Sequence, residues 1–215
     1  MTTPSQRSEN EIVDEFLKLY YESPTTWRNT FWLGTPALKC PLDLWIYQEI
    51  IFEVKPDVII ECGTFEGGGA LFLASICELL KRGTVITIDV EAMRGRPRHR
   101  RIRYLLGSST SKGIVDKLRS SIKARDRVMV ILDSDHSKDH VLSELRIYSR
   151  FVTTGSYLIV EDAIVNGHPV LPDYGPGPME AIQEFLSENK EFVVDRSRAK
   201  FLMTFNPDGW LRRVG

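Results

Sequence analysis

The sequence predicts an α/β domain built on a mostly parallel sheet, with helices on both faces and an antiparallel hairpin at its C-terminal end. Three observations predict it. Short runs of Val, Ile and Leu recur at Val58–Ile60, Thr84–Asp89, Ile102–Leu106, Arg127–Leu132 and Tyr157–Val160, separated by stretches of helical periodicity. The first run breaks into a glycine-dense turn, Gly63 and Gly67-Gly68-Gly69, before an amphipathic segment. The later runs end in Asp, Ser or Glu, and in such sheets ligands bind beyond the carboxyl ends of the strands.

At 215 residues, the chain is long enough for one well-packed core, read as an N-terminal extension and helix (1–40, for substrate or oligomer contacts) before the main domain (41–215). A net charge of −1 gives no electrostatic reason to expect nucleic acid or a membrane as partner. No run is apolar enough to span a bilayer, and the polar start MTTPSQRSENE is unlike a signal peptide. Cys40, Cys62 and Cys77 lack metal-site spacing and read as reduced thiols of a cytoplasmic protein.

Residues 1–8 read as disordered. The next stretch places Ile12, Phe16, Leu17 and Tyr20 on one face of a helix. Trp27, Phe31 and Trp32 are read as packing on the body of the domain, with a wall of the site as the lesser reading. Pro41-Leu42-Asp43 opens a second helix, and Lys55-Pro56-Asp57 ends it. The six arginines between Arg94 and Arg103 are read as a solvated loop, with attraction of an anion as the lesser reading. Helices are expected after Thr110, after Ser137 and from Pro178, and a Pro/Gly-rich loop spans 167–178. The tail is read as strands, FVVD and KFLMTF with WLRRV, turning at Asn206-Pro207-Asp208-Gly209 into a final hairpin.

Reading the strand ends in order separates two chemistries. The first three suit a nucleoside-like ligand. The glycine turn admits a polar chain, Asp89 can accept both hydroxyls of a ribose, and Ser108 and Ser109 can meet a base edge. A nicotinamide dinucleotide is disfavoured, because Phe65 stands where its fingerprint has a second glycine and Glu66 lies where phosphate charge would fall. S-adenosylmethionine, cationic and without phosphate, suits the loop better. The expected cofactor set is Glu61, Gly63, Thr64, Phe65, Gly68, Asp89, Ser108, Ser109 and Asp133.

The last two ends gather Asp133, Asp135, Glu161 and Asp162. Buried unpaired, such acids would repel one another, and a hard divalent cation with oxygen ligands resolves this. Mg2+ is favoured, since it leaves positions for water or substrate oxygens. The competing reading is that Asp133 or Asp135 caps the following helix. His136, beside the acids, is the candidate general base, with orientation of an acid as the alternative. His140 reads as structural, His168 as a substrate contact on a lid loop, and His99 as solvent-facing.

The stretches LGTPALKCPLDLWIYQEI, PDVIIECGTFEGGGAL, LDSDHSKDHVLSEL, GSYLIVEDAIVNGHP, GPGPMEAI and LMTFNPDGWLRR together resemble the cephalosporin hydroxylase / rhamnosyl O-methyltransferase family, from about Thr30 to Arg213. The resemblance implies a Rossmann-like class I methyltransferase fold over residues 41–215, S-adenosylmethionine as methyl donor and Mg2+, in antibiotic tailoring or glycolipid methylation. By the same resemblance Glu61, Gly63 and Asp89 would hold the cofactor. Glu161, Asp162 and either Asp133 or Asp135 would hold the metal. Catechol-type O-methyltransferases are more distantly similar: their strand-four acid matches Asp133, and their catalytic lysine falls at His136.

The resulting expectation is an O-methyltransferase, cytoplasmic and homo-oligomeric, acting on a small-molecule hydroxyl such as that of a sugar, glycoside or antibiotic-type natural product. Asp133 and His136 are the expected catalytic pair. Two rivals stand beside it. A hydroxylase would need a second histidine for an iron triad. A non-catalytic partner subunit would have no need of acids at each strand end.

Overall fold

A computed structural model describes residues 7–215. Of the stretch expected to be disordered, residues 1–6 lie outside the description. Ser8 N-caps the first helix, α1 (Glu9–Glu22), through a capping box with Glu11. That helix packs only through its C-terminal half: Leu17 and Tyr21 are buried while Ile12 and Phe16 stand about half exposed. The expected apolar face is therefore only partly the buried one.

A 3-10 turn (Trp27–Asn29) and a small antiparallel pair, β1 (Phe31–Trp32) and β2 (Thr35–Pro36), lead into α2 (Pro41–Val54). Proline at the start of α2 lacks an N–H that the first turn would leave unpaired anyway, and Lys55 ends the helix in a left-handed conformation. The main sheet then follows: β3 (Val58–Cys62), α3 (Gly68–Leu79), β4 (Thr84–Asp89), β5 (Ile102–Leu106), α4 (Lys112–Ser121), β6 (Val128–Leu132), α5 (Lys138–Tyr148), β7 (Tyr157–Val160), α6 (Pro178–Glu188), β8 (Phe192–Val194) and β9 (Trp210–Arg213).

Across the sheet the order is β5-β4-β3-β6-β7-β9-β8. Strands β5 to β7 in that order are parallel, and β9 runs antiparallel to both its neighbours. The expected α/β architecture with a C-terminal antiparallel pair is thus observed, with one difference in the tail. The partner of β9 is β8, not KFLMTF. The latter runs as loop because Thr204 Oγ1 and Phe205 N donate to the buried Asp43 carboxylate at 2.6 and 2.8 Å, which fixes the segment to α2.

Alternating side chains give the sheet two buried faces. Ile60, Cys62, Val130, Leu132, Leu158 and Val160 pack under α4, α5 and α6. Ile59, Met129, Ile131, Tyr157 and Ile159 pack under α2 and α3. A third cluster joins Leu17, Tyr21 and Cys40 to Ile164, Val165, Val170, Met203 and Phe205, so the N-terminal segment rests on the loop after β7 and on the tail. The chain leaves the sheet at β5 and returns beside β3 as β6. This makes the β3/β6 junction the switch point where a ligand crevice opens.

Candidate active site

At that switch point lies a cavity of about 690 Å³. All nine residues expected to bind a cofactor line it: Glu61, Gly63, Thr64, Phe65, Gly68, Asp89, Ser108, Ser109 and Asp133. Gly63 is required by contact and conformation together. Its φ is +94°, and a Cβ there would stand 1.7 Å from the Asp133 carbonyl oxygen, so only glycine lets β3 and β6 meet at their ends.

Asp89 staples the glycine loop to β4. Its Oδ2 accepts from Thr64 N (3.1 Å), Phe65 N (2.8 Å) and Arg96 Nη2 (2.9 Å), while Oδ1 accepts from Glu91 N (2.9 Å). With a single donor, Oδ1 keeps capacity for a ligand hydroxyl. Arg96 also donates from Nε to Phe65 O at 2.7 Å. The arginine-rich stretch is therefore not a uniformly solvated loop: Arg96 is largely buried, and Arg100 and Arg101 pair with Glu78. Beneath the loop, Glu61 accepts from Thr87 Oγ1 at 2.6 Å, and burial raises its pKa to about 7 against the pull of Lys39 and Thr87. Glycine is needed at the start of α3, where a Cβ on Gly68 would meet the Pro36 carbonyl oxygen at 2.0 Å. His140 Nε2 lies 3.3 Å from both Ser109 Oγ and Glu144 Oε1, and so supports the wall beneath β5.

Toward β6 and β7, one ligand atom each of Asp133, His136 and Asp162 lies within 4.8 Å of the others. His136 Nε2 is 3.4 Å from Asp133 Oδ1 and 3.1 Å from Asp162 Oδ2. Burial opposes a charge on His136, but hydrogen bonds to Asp133 and Asp162 outweigh it and raise its pKa well above the histidine range. For Asp133, burial pushes the pKa up, and Lys39 and then His136 push it down further, so it lies below its usual value.

Asp135 and Glu161 are not brought into this group. Asp135 Oδ1 accepts from Ser137 N at 2.7 Å in a turn just ahead of α5; the N-cap of that helix is Ser137 and makes no side-chain capping bond, so the capping expected of Asp133 or Asp135 is not observed. Glu161 continues the alternation of Tyr157 and Ile159 and falls on the α2 side of the sheet. There Glu161 Oε1 accepts from Tyr47 OH (2.7 Å) and Lys39 Nζ (2.6 Å). Burial and then the Asp133 charge raise its pKa to about 8, against the pull of Lys39 and Tyr47. Asp162 turns back toward the cavity because its backbone is left-handed, with φ +54°.

Sequence reading missed Lys39 and Tyr47, which lie in a loop and on a helix rather than at strand ends. It also missed Tyr21 and Tyr174, which line the cavity with Trp27 and Val165. Trp27 both packs and lines: its ring stacks on Tyr21 at 5.1 Å and meets Phe205 edge-on at 5.7 Å. His168 lies apart from the cavity lining. Its Nε2 is 2.8 Å from Glu180 Oε1, and Asn166 donates to the same oxygen at 3.0 Å, anchoring the 167–178 loop to α6. His99, partly buried, accepts from Arg101 N at 3.2 Å.

No helix among the described residues is long and apolar enough to cross a membrane. The family described as rhamnosyl O-methyltransferase/CmcI matches residues 24–214. The rhamnosyl O-methyltransferase of Mycobacterium tuberculosis is 37% identical over 96% of this chain and 87% of its own length, and that of Mycobacterium leprae is 37% identical over 96% and 93%. A CmcI structure holding magnesium and S-adenosylmethionine superposes with a TM-score of 0.68 at 19% identity, covering 100% of this chain and 88% of that one, a likeness of fold. The strand-end acids, the glycine loop and the sheet they stand on thus belong to a chain that is a member of the rhamnosyl O-methyltransferase/CmcI family.

Proposed function

We propose that this chain, a member of an O-methyltransferase family, transfers the methyl group of S-adenosylmethionine to a hydroxyl of a small acceptor, a sugar, glycoside or antibiotic-type natural product, with Mg2+ as partner. The observation that carries the reading is the meeting of Asp133, His136 and Asp162 at one end of a cavity whose other end is formed by the glycine loop, Asp89 and the Ser108-Ser109 turn. The donor chemistry fits both groups. Two carboxylates facing one opening suit a hard cation that leaves its other positions to water and substrate oxygens. A loop with Phe65 where a dinucleotide fingerprint has glycine, and Glu66 beside it, suits a cationic ligand better than a pyrophosphate.

In this reading Asp133 and Asp162 hold the cation, which supplies polarisation of the acceptor hydroxyl. Asp89 Oδ1 takes a ribose hydroxyl, and Ser108 and Ser109 meet the base. His136 takes the proton of the acceptor hydroxyl at Nε2. Its two carboxylate partners keep it charged, so their engagement elsewhere leaves the ring free to act as base. Tyr21, Trp27 and Tyr174 form an apolar wall on which an acceptor ring stacks, fixing its hydroxyl toward the methyl donor. A hydroxylase would call for two imidazoles and one carboxylate on iron, and the observed group has the inverse composition.

Calorimetry with S-adenosylmethionine and with Mg2+, run separately, tests the proposal. Heat is expected from each. Absence of cofactor binding removes the methyltransferase reading, and cofactor-dependent methyl transfer that is indifferent to chelation removes the Mg2+ role.

A further inference from the structure

Helix α5 reaches beneath the cavity with three side chains spaced one turn apart, His140, Glu144 and Tyr148. Glu144 is fully buried, and its Oε1 accepts from Ser134 Oγ at 2.8 Å. Its Oε2 has no partner among the described residues. The one basic group that pairs with it there is His140, whose Nε2 stands 3.3 Å from Oε1. The Cys62 thiol beside it stays neutral, since burial and then the Glu144 charge raise its pKa well above the thiol range. A buried carboxylate is costly unless its neighbours donate to it. Both donors here, Ser134 and His140, line the cavity, while Glu144 itself does not.

The nitrogen that faces Glu144 also faces Ser109, with His140 Nε2 3.3 Å from Ser109 Oγ. An unprotonated Nε2 would turn its lone pair toward a buried carboxylate. Nε2 therefore carries a proton whether the ring is neutral or charged, and the Ser109 oxygen accepts from it. That hydroxyl makes no other hydrogen bond among the described residues, so its own hydrogen is free to point into the cavity that Ser109 lines. Tyr148 OH holds the same residue by its backbone, donating to Ser109 O at 2.8 Å. We infer that Glu144 is a positioning residue for the methyl donor: by keeping the His140 proton on Nε2, it fixes Ser109 as a hydrogen-bond donor toward a ring nitrogen of the adenine base. The inference rests on the S-adenosylmethionine reading above and adds to it the polarity with which the base end receives its ligand.

Two measurements test this without any turnover. Imidazole nitrogen resonances of the wild-type chain, recorded above the His140 titration, should show His140 protonated at Nε2, and the Nδ1-protonated tautomer overturns the inference. Calorimetry with S-adenosylmethionine should show Ser109→Ala and Glu144→Gln each about fivefold weaker than wild type, the scale of one lost neutral hydrogen bond. The double variant should be no weaker than Ser109→Ala, because the carboxylate acts only through that hydroxyl. Losses that multiply, or a Glu144→Gln chain that binds as wild type does, overturn the inference. Mn2+ titration, followed by the paramagnetic resonance of the free ion, should find wild type and Glu144→Gln within about twofold of each other, since the ion end is built from other residues. Equal loss of ion and cofactor marks general damage to the site and overturns the positioning role. Thermal melts establish folding, and should Glu144→Gln fail to fold, the wild-type tautomer and Ser109→Ala decide. Absence of S-adenosylmethionine binding by the wild-type chain removes the methyl-donor reading and the inference with it, whereas the outcomes above remove the inference alone.

Discussion

The two ends of the cavity are built differently. At the β3–β5 end the backbone forms the surface: Thr64 N and Phe65 N bind Asp89, and Gly63 lies against the Asp133 carbonyl. At the β6–β7 end side chains form it, with Asp133, His136, Asp162, Lys39 and Glu161 satisfying one another in pairs. A backbone surface keeps its shape whatever it holds. A side-chain surface holds its shape through balanced charge, and replacing one member changes what the others bind. Substitutions at the first end should therefore be felt through packing and cofactor affinity, and those at the second through ion affinity and turnover.

The largest expected contrast is at Asp162. Asp162→Ala should lower methyl transfer about a thousandfold, the scale of losing a principal electrostatic contributor, while S-adenosylmethionine affinity stays within about threefold by calorimetry. Equal loss of both would mean that the two ends are not separable. Gly63→Ala should cost about 3 kcal/mol or more in urea unfolding, because a Cβ overlaps Asp133 O at a positive φ. Arg96→Met should weaken the methyl donor about tenfold by releasing Asp89 and Phe65 O, charge-assisted contacts worth roughly 1.5–3 kcal/mol each, and leave Mn2+ titration unmoved.

A smaller effect, outside both ends, depends on pH. Burial raises Asp43 to about 7, above an unfolded carboxylate near 4. The folded state then binds more protons than the unfolded state between those values, so this contribution is full below about pH 4 and is lost as pH rises through about 7. Urea melts across that window should show Asp43→Asn with a shallower decline than wild type. Glu180 behaves oppositely. Burial raises its pKa, but His168, Gly177 N and Asn166 outweigh this and hold it at about 2, so its contribution is present above the usual glutamate range and lost as pH falls toward 2.

Much of this was legible in the sequence for a physical reason. Alternating apolar strands and amphipathic helices fix the layers, and the nine residues expected to bind a cofactor all line one cavity. Parity was also readable: Glu61 shares a face with Ile59, Asp133 with Ile131 and Glu161 with Ile159, all on the side covered by α2 and α3. Counting acids at strand ends without that parity grouped Glu161 with Asp162, although the two point apart. Lys39 and Tyr47 could not be found this way. Their place depends on how the segment before α2 crosses the sheet, and no period in the sequence encodes it. The tail misled for a similar reason, since an apolar run of strand-like composition is diverted by a single buried carboxylate, Asp43.

The glycine run also has a consequence for reading relatives. Gly68 is small because a carbonyl of the preceding hairpin presses on it, and Gly69 because a lysine stem and a glutamate oxygen fill the space its Cβ would take. Three glycines in a row are therefore a cast of their neighbours. A relative carrying alanine at the second position needs a displaced hairpin, and one carrying alanine at the third needs a different residue where Lys39 stands. The spelling of this loop across the family would then report on the residue that stands at position 39, at the far end of the cavity.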